Sequence, residues 1–385
     1  MGYFTDAVHA GQHPEEVTGA VITPIFQTAT YAQTGPGEHK GYEYGRTGNP
    51  TRLALEQNLA ALERGTHAYA FSSGMAATST VTKLLKQGSH LICTENVYGG
   101  TFRYFMKVMA DFGLKFSFVD TSKIENIEKV CKPSTRMLYV ETPTNPLLII
   151  SDLKQLATFC KEHDMLLVVD NTFLSPYFQR PLELGADIVL HSTTKFINGH
   201  SDVVGGIVIT RRADLAERLA FLQNAVGAVP SPFDCWLILR STKTLPLRLK
   251  HQGASAITIA QHLEKHRAVK RIIYPGLESH PQHALARAQQ LDPYGKPGYG
   301  GMISFEVESF EFARQVLRRA KIFTCAESLG GVESLISQPA SMTHASVPPD
   351  ERRRIGLSDS LVRLSIGVED TEDLIADLEQ MLNTK

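Results

Sequence analysis

Disulfides, metal centres, membrane spans and nucleic-acid surfaces leave signatures that this sequence lacks. Its five cysteines (Cys93, Cys131, Cys160, Cys235, Cys325) are odd in number, far apart and without a CxxC pair. That argues against a disulfide framework or a cysteine zinc site and leaves buried free thiols in a reducing cytoplasm as the expectation. No apolar run approaches the roughly 18 residues of a membrane span. Lys plus Arg number 39 against 40 for Asp plus Glu, a net charge of -1, so nothing favours nucleic acid or an anionic membrane as partner. The opening MGYFTDAVHAGQ has neither a basic n-region nor an apolar core, and no signal peptide is expected. His262 and His266 have the i, i+4 spacing of a metal pair, but HLEKH offers no third ligand and reads as a solvated helix face. There is no internal repeat and no low-complexity tract.

What is present is 385 residues of ordinary composition, enough for two or three domains. Residues 1–46 carry little periodicity and read as an arm. Asn49-Pro50-Thr51 opens a helix whose apolar positions are Leu53, Leu55, Leu59 and Leu62. From about 66 to 230, short apolar runs alternate with helical patterns. Near-continuous apolar strands separated by helices predict a mostly parallel sheet covered on both faces. After a Pro/Gly-rich break at 227–232, one long helix kinked at Pro246 is predicted, then a smaller α/β unit with strands near 272–274, 302–307 and 361–366. The expected division is 1–46, 47–243 and 244–385.

Ligands of such sheets bind outside the carboxyl ends of the strands. Two charged residues fall there. Asp170 ends the apolar run Val168-Val169. Lys195 follows Ile188-Val189-Leu190 behind the hydroxyls of Ser192 and Thr194, whose period-two spacing puts both on one side. Lys195 is a surface charge or a nucleophile. A lysine, a phosphate cup and a strand-end acid together are what pyridoxal phosphate requires: a Schiff-base amine, an anion site and a partner for the pyridinium nitrogen. Gly74 and Met75, in SSGMAA, open a helix whose amides suit a phosphate. Tyr98, in VYGG, stacks on a ring or covers the core. Asn145, in ETPTNP, meets a ligand or caps a turn.

The ordered set SSGMAA, VYGG, ETPTNP, VVDNTF and HSTTK resembles the Cys/Met-metabolism family of pyridoxal-phosphate enzymes, and the match runs from YEYGRTGNPT to LVRLSIGVEDTEDL. The resemblance implies an α/β fold of the PLP-dependent transferase type I class. It implies Lys195 as the covalent anchor, Asp170 as the pyridinium partner and Tyr98 as the stacking residue. Gly74, Met75, Ser192 and Thr194 would hold the phosphate. Tyr44 and Arg46 would reach it from a neighbouring subunit, within a homotetramer built as a dimer of dimers. Arg363, helped by Asn145 and Ser328, would take the α-carboxylate of a small amino-acid substrate.

Three positions bear on the reaction. Gly100 stands where methionine γ-lyases resemble one another in having Cys. Glu327 stands where the cystathionine γ-enzymes have Glu and β-lyases an apolar or aromatic residue. Glu43 and Arg103 also resemble the γ-enzymes and would meet the distal polar end of a substrate. Together with the run AESLGGVESL…MTHAS, these imply γ-elimination on cystathionine. The close alternative is γ-replacement of an O-acylated homoserine by cysteine. A binding protein that keeps the fold without chemistry is the remote one.

Overall fold

The computed structural model describes residues 1–343 and 349–383. Residues 344–346 of the MTHAS run lie outside them. A seven-stranded sheet is built from β1 (His67–Phe71), β2 (His90–Thr94), β3 (Lys115–Val119), β4 (Thr135–Glu141), β5 (Leu166–Asp170), β6 (Ile188–Ser192) and β7 (Gly206–Thr210), in the order β1-β7-β6-β5-β4-β2-β3. Strands β2 to β6 pair in parallel, and β7 runs antiparallel to both β1 and β6.

The near-continuous apolar runs follow from burial of both faces. Successive side chains on a strand point to opposite sides. Leu167 and Val169 of β5, with Val189 of β6 and Ile207 and Ile209 of β7, pack into one core. Val168, Ile188, Leu190 and Val208 pack into another. A strand between two cores has no solvent face to mark with polar residues.

A second sheet comprises β8 (Arg271–Ile273), β9 (Met302–Glu306), β10 (Thr324–Cys325), β11 (Leu335–Ser337) and β12 (Leu361–Ser365), in the order β10-β11-β12-β9-β8. It has its own core, including Ile303, Phe305, Val362 and Leu364. No helix among the described residues is long and apolar enough to cross a membrane.

Several expectations are corrected. The long kinked helix is two helices, Pro232–Thr242 and Leu245–Glu264. Pro246 sits in the first turn of the second, where a missing N–H costs nothing. Strands β10 and β11 were not anticipated, because runs of two or three residues show no period. Leu53 is 40% exposed; it lies two residues from Leu55 and so on the opposite side of the helix from Leu55, Leu59 and Leu62. The first residues of the arm form a helix, Tyr3–His9, with Tyr3 and Ala7 buried in the large core. Cys325 is exposed on the short β10, while Cys93, Cys160 and Cys235 are buried; all five thiols are free. The Glu379 carboxylate lies 2.7 Å from His262 and 3.6 Å from His266.

Candidate active site

Three parallel strands end together. Glu141, last in β4, pairs with Asp170, last in β5, which pairs with Leu190 two residues before the end of β6. Outside this edge is a cavity of about 290 Å³. Among the expected site residues, Gly74, Met75, Tyr98, Asn145, Asp170, Ser192, Thr194, Lys195, Glu327, Ser328 and Arg363 line it.

Lys195 lies three residues past the end of β6, its main-chain N–H turned back to the Ser192 carbonyl at 3.3 Å. Its Nζ donates to Ser328 Oγ at 2.7 Å. Burial, and then the positive charge of Arg363, pull the ammonium pKa down to about 8, with Glu327 opposing.

Asp170 Oδ1 accepts from the Thr172 amide at 3.1 Å and from the Thr172 hydroxyl at 2.6 Å. That hydroxyl in turn accepts from the Ser192 amide at 2.9 Å. Burial raises the Asp170 pKa, and the Thr172 bonds act against it. Beyond Ser192 lies the N-terminus of the helix Gly74–Thr82, capped by Ser73 Oγ on the Ala76 amide at 3.0 Å. A Cβ on Gly74 would meet the Ser192 Cβ at 2.9 Å, so only glycine lets these elements approach so closely. The Thr194 hydroxyl donates to the Gly205 carbonyl at 3.2 Å and accepts from the Gly205 amide at 2.9 Å.

At the other end, Arg363 stands mid-strand in β12 at 3% exposure. Its Nη1 donates to Asn145 Oδ1 at 2.9 Å and its Nη2 to the Ser328 carbonyl at 2.8 Å. Its Nε is buried and has no hydrogen-bond partner among the described residues. Burial lowers its pKa to about 10, Glu327 and Glu141 opposing. A desolvated guanidinium with a donor to spare is a receptor for an anion such as a carboxylate.

Tyr98 is 45% exposed, and its amide donates to Glu141 Oε2 at 2.8 Å. A Cβ on Gly100 would clash with the Tyr98 ring, so this glycine makes room for the aromatic.

Four expected residues do not line the cavity. Glu43 and Tyr44 are exposed on the arm. The Arg46 Nη1 donates to the Asn224 carbonyl at 3.1 Å, and its guanidinium lies 5.5 Å from the Tyr44 ring centroid. Tyr44 and Arg46 border a separate surface hollow with Val229 and Pro230. Arg103 is exposed on the helix Gly99–Tyr104. A single chain does not bring these four to Lys195.

Thr172 and Glu141 escaped the sequence reading. The D-x-T pattern after β5 is a turn signal that points to Thr172. Glu141 opens a motif already singled out, but its role depends on which amides surround it.

The chemistry of these residues fits pyridoxal phosphate. A glycine-lined helix N-terminus beside a serine suits its phosphate. A buried carboxylate suits its ring nitrogen, and an amine with a lowered pKa suits its aldehyde.

The family model for Cys/Met metabolism PLP-dependent enzymes matches residues 4–383. A cystathionine gamma-lyase of Dictyostelium discoideum is 52% identical over 381 residues, covering 98% of this chain and 97% of that protein. A protein named cystathionine beta-lyase, from Coxiella burnetii, is 50% identical over 381 residues, with 98% and 97% covered. The crystal structure of cystathionine gamma-lyase from Lactobacillus plantarum complexed with L-serine has a TM-score of 0.95 and 44% identity, covering 99% of this chain and 98% of that one.

Proposed function

This chain belongs to the Cys/Met metabolism PLP-dependent enzymes, and from that premise we propose that it is a lyase that cleaves L-cystathionine by γ-elimination. Cystathionine and water become cysteine, 2-oxobutyrate and ammonia. The fold is the α/β fold of the PLP-dependent transferase type I class, and the cofactor is pyridoxal 5'-phosphate. One observation supports the reading: Lys195, Asp170, Arg363 and Glu327 line the same cavity.

Pyridoxal phosphate, when bound, supplies an electron sink for negative charge developed at the substrate α-carbon. Lys195 would carry it covalently, Asp170 would face its ring nitrogen, and Tyr98 its ring. The Gly74 and Met75 amides and the Ser192 and Thr194 hydroxyls would take its phosphate. Arg363, with Asn145 and Ser328 beside it, holds the substrate α-carboxylate. That places the α-hydrogen near the Lys195 amine, which takes it as a base. A β-hydrogen must leave as well, its electron pair forming the Cβ–Cγ double bond as the Cγ–S bond breaks, and Tyr98 or Lys195 returns a proton to the departing sulfur. Glu327 receives the distal ammonium of cystathionine, an interaction that an apolar residue there cannot make. Glu43 and Arg103 would bind the substrate's distal polar end, and Tyr44 and Arg46 would reach the phosphate of a neighbouring subunit. The protein would then act in the cytoplasm as a homotetramer built from dimers.

A product assay tests this. The purified holoenzyme given cystathionine should release 2-oxobutyrate and cysteine. Pyruvate and homocysteine instead would mark the β-elimination named for the Coxiella relative. Cystathionine made from O-succinyl- or O-acetyl-homoserine and cysteine faster than it is cleaved would mark a synthase.

A further inference from the structure

Glu141 is 5% exposed at the end of β4, in register with Asp170. Placing one buried acid beside another is costly, and an apolar residue would end the strand without that cost. Burial, and then the Asp170 charge, hold its carboxyl well above the usual range. Both of its oxygens accept main-chain N–H groups: Oε2 that of Tyr98 at 2.8 Å, and Oε1 that of Asn145 at 3.2 Å. These amides belong to two separate segments that both line the cavity. Tyr98 leads into the helix Gly99–Tyr104 and presents the exposed ring. Asn145 accepts the Nη1 donor of Arg363 at 2.9 Å.

We propose that Glu141 is a positioning residue for the reaction, a two-pronged acceptor that sets the spacing between the Tyr98 ring and the Arg363 carboxylate clamp. It acts through those residues, so the proposal rests on the roles given them above. Two acceptors on one planar group are what the geometry demands. Glutamine keeps the shape but offers one acceptor and turns an NH2 against the other amide.

The test compares the wild-type holoenzyme with Glu141→Gln, Asn145→Ala and the double variant. Steady-state kinetics on cystathionine are measured, with titration of pyridoxal phosphate into cofactor-depleted protein and thermal unfolding as a check on the fold. Losing one of the two acceptors in Glu141→Gln should raise KM and weaken cofactor affinity, each by roughly tenfold. The KM effects of Glu141→Gln and Asn145→Ala should fall short of multiplying, because both act on Arg363. Glu141→Asp keeps both acceptors and should lie between Gln and wild type; it decides the matter on the same KM criterion if the Gln protein does not fold. A KM within about twofold of wild type in the folded variant, or KM effects that multiply, overturns the proposal. If the wild-type enzyme leaves cystathionine untouched, the substrate reading falls separately. Glu141 is then decided by the cofactor titration, where weakened binding supports the proposal and unchanged binding overturns it.

Discussion

Lys195 Nζ donates a 2.7 Å hydrogen bond to Ser328 Oγ, joining residues 133 positions apart. The carbonyl of the same serine accepts from Arg363 at 2.8 Å. Ser328 has a φ of 83°, a backbone conformation that residues with a side chain seldom adopt. The strained serine thus turns its hydroxyl to the amine and its carbonyl to the guanidinium. Backbone strain held at such a point is a mark of a working site.

The lowered pKa of Lys195 has a definite sign. In the cofactor-free protein the folded chain releases this proton near pH 8, whereas an unfolded lysine keeps it until about 10.4. Between those values the unfolded state holds more protons, so this group makes stability rise with pH through that window. Modification of the cofactor-free enzyme by an amine-directed reagent, scored against Lys195→Ala, should be half-maximal near pH 8. A midpoint at the ordinary lysine value would remove the desolvation argument.

Arg363→Lys keeps the charge but not the fork. The ammonium cannot serve Asn145 Oδ1, the Ser328 carbonyl and a substrate carboxylate in one plane. KM for cystathionine should rise by roughly a hundredfold while kcat falls less. A change confined to kcat would place Arg363 outside substrate binding.

Glu327→Ala removes the charge that opposes the pKa depression of Lys195. The midpoint of lysine modification should therefore move to still lower pH. The visible absorbance of the bound cofactor should persist, and KM for cystathionine should rise by roughly tenfold, as for one lost charge-assisted contact. Unchanged cystathionine kinetics would strike Glu327 from the specificity argument.

The arm gives a test of assembly. Arg46→Ala and Lys195→Ala should each be nearly inactive alone. If Arg46 serves the neighbouring subunit of a two-fold dimer, mixing and reassociating the two proteins makes one intact site in each mixed dimer, and about a quarter of wild-type activity returns. No recovery in demonstrably mixed oligomers would confine Arg46 to its own chain.

The residues at the ends of the parallel strands were legible because each follows an apolar run and precedes a turn: Asp170, Ser192 and Lys195 are read directly. Arg363 is reached through the resemblance of LVRLSIG to the family's motif, with which a cation inside the apolar β12 agrees. Short elements such as β10 and β11 were not, because two or three residues carry no period. Nor was the docking of Tyr3–His9, a helix of seven residues, too short to show a period.

By itself, the order of residues determined the layered sheet and, through motifs that resemble a family, the cofactor. The sheet depends on local periodicity, and the cofactor on an ordered set of motifs, from SSGMAA to HSTTK, that lie in sequence. Only the tertiary structure decided which partners these side chains meet. It brought Ser328 to Lys195, turned both oxygens of Glu141 onto the amides of Tyr98 and Asn145, and left Tyr44 and Arg46 outside the lining of their own chain's cavity. Hydrogen bonds between distant segments depend on how two separate cores pack against each other, and no local pattern encodes that.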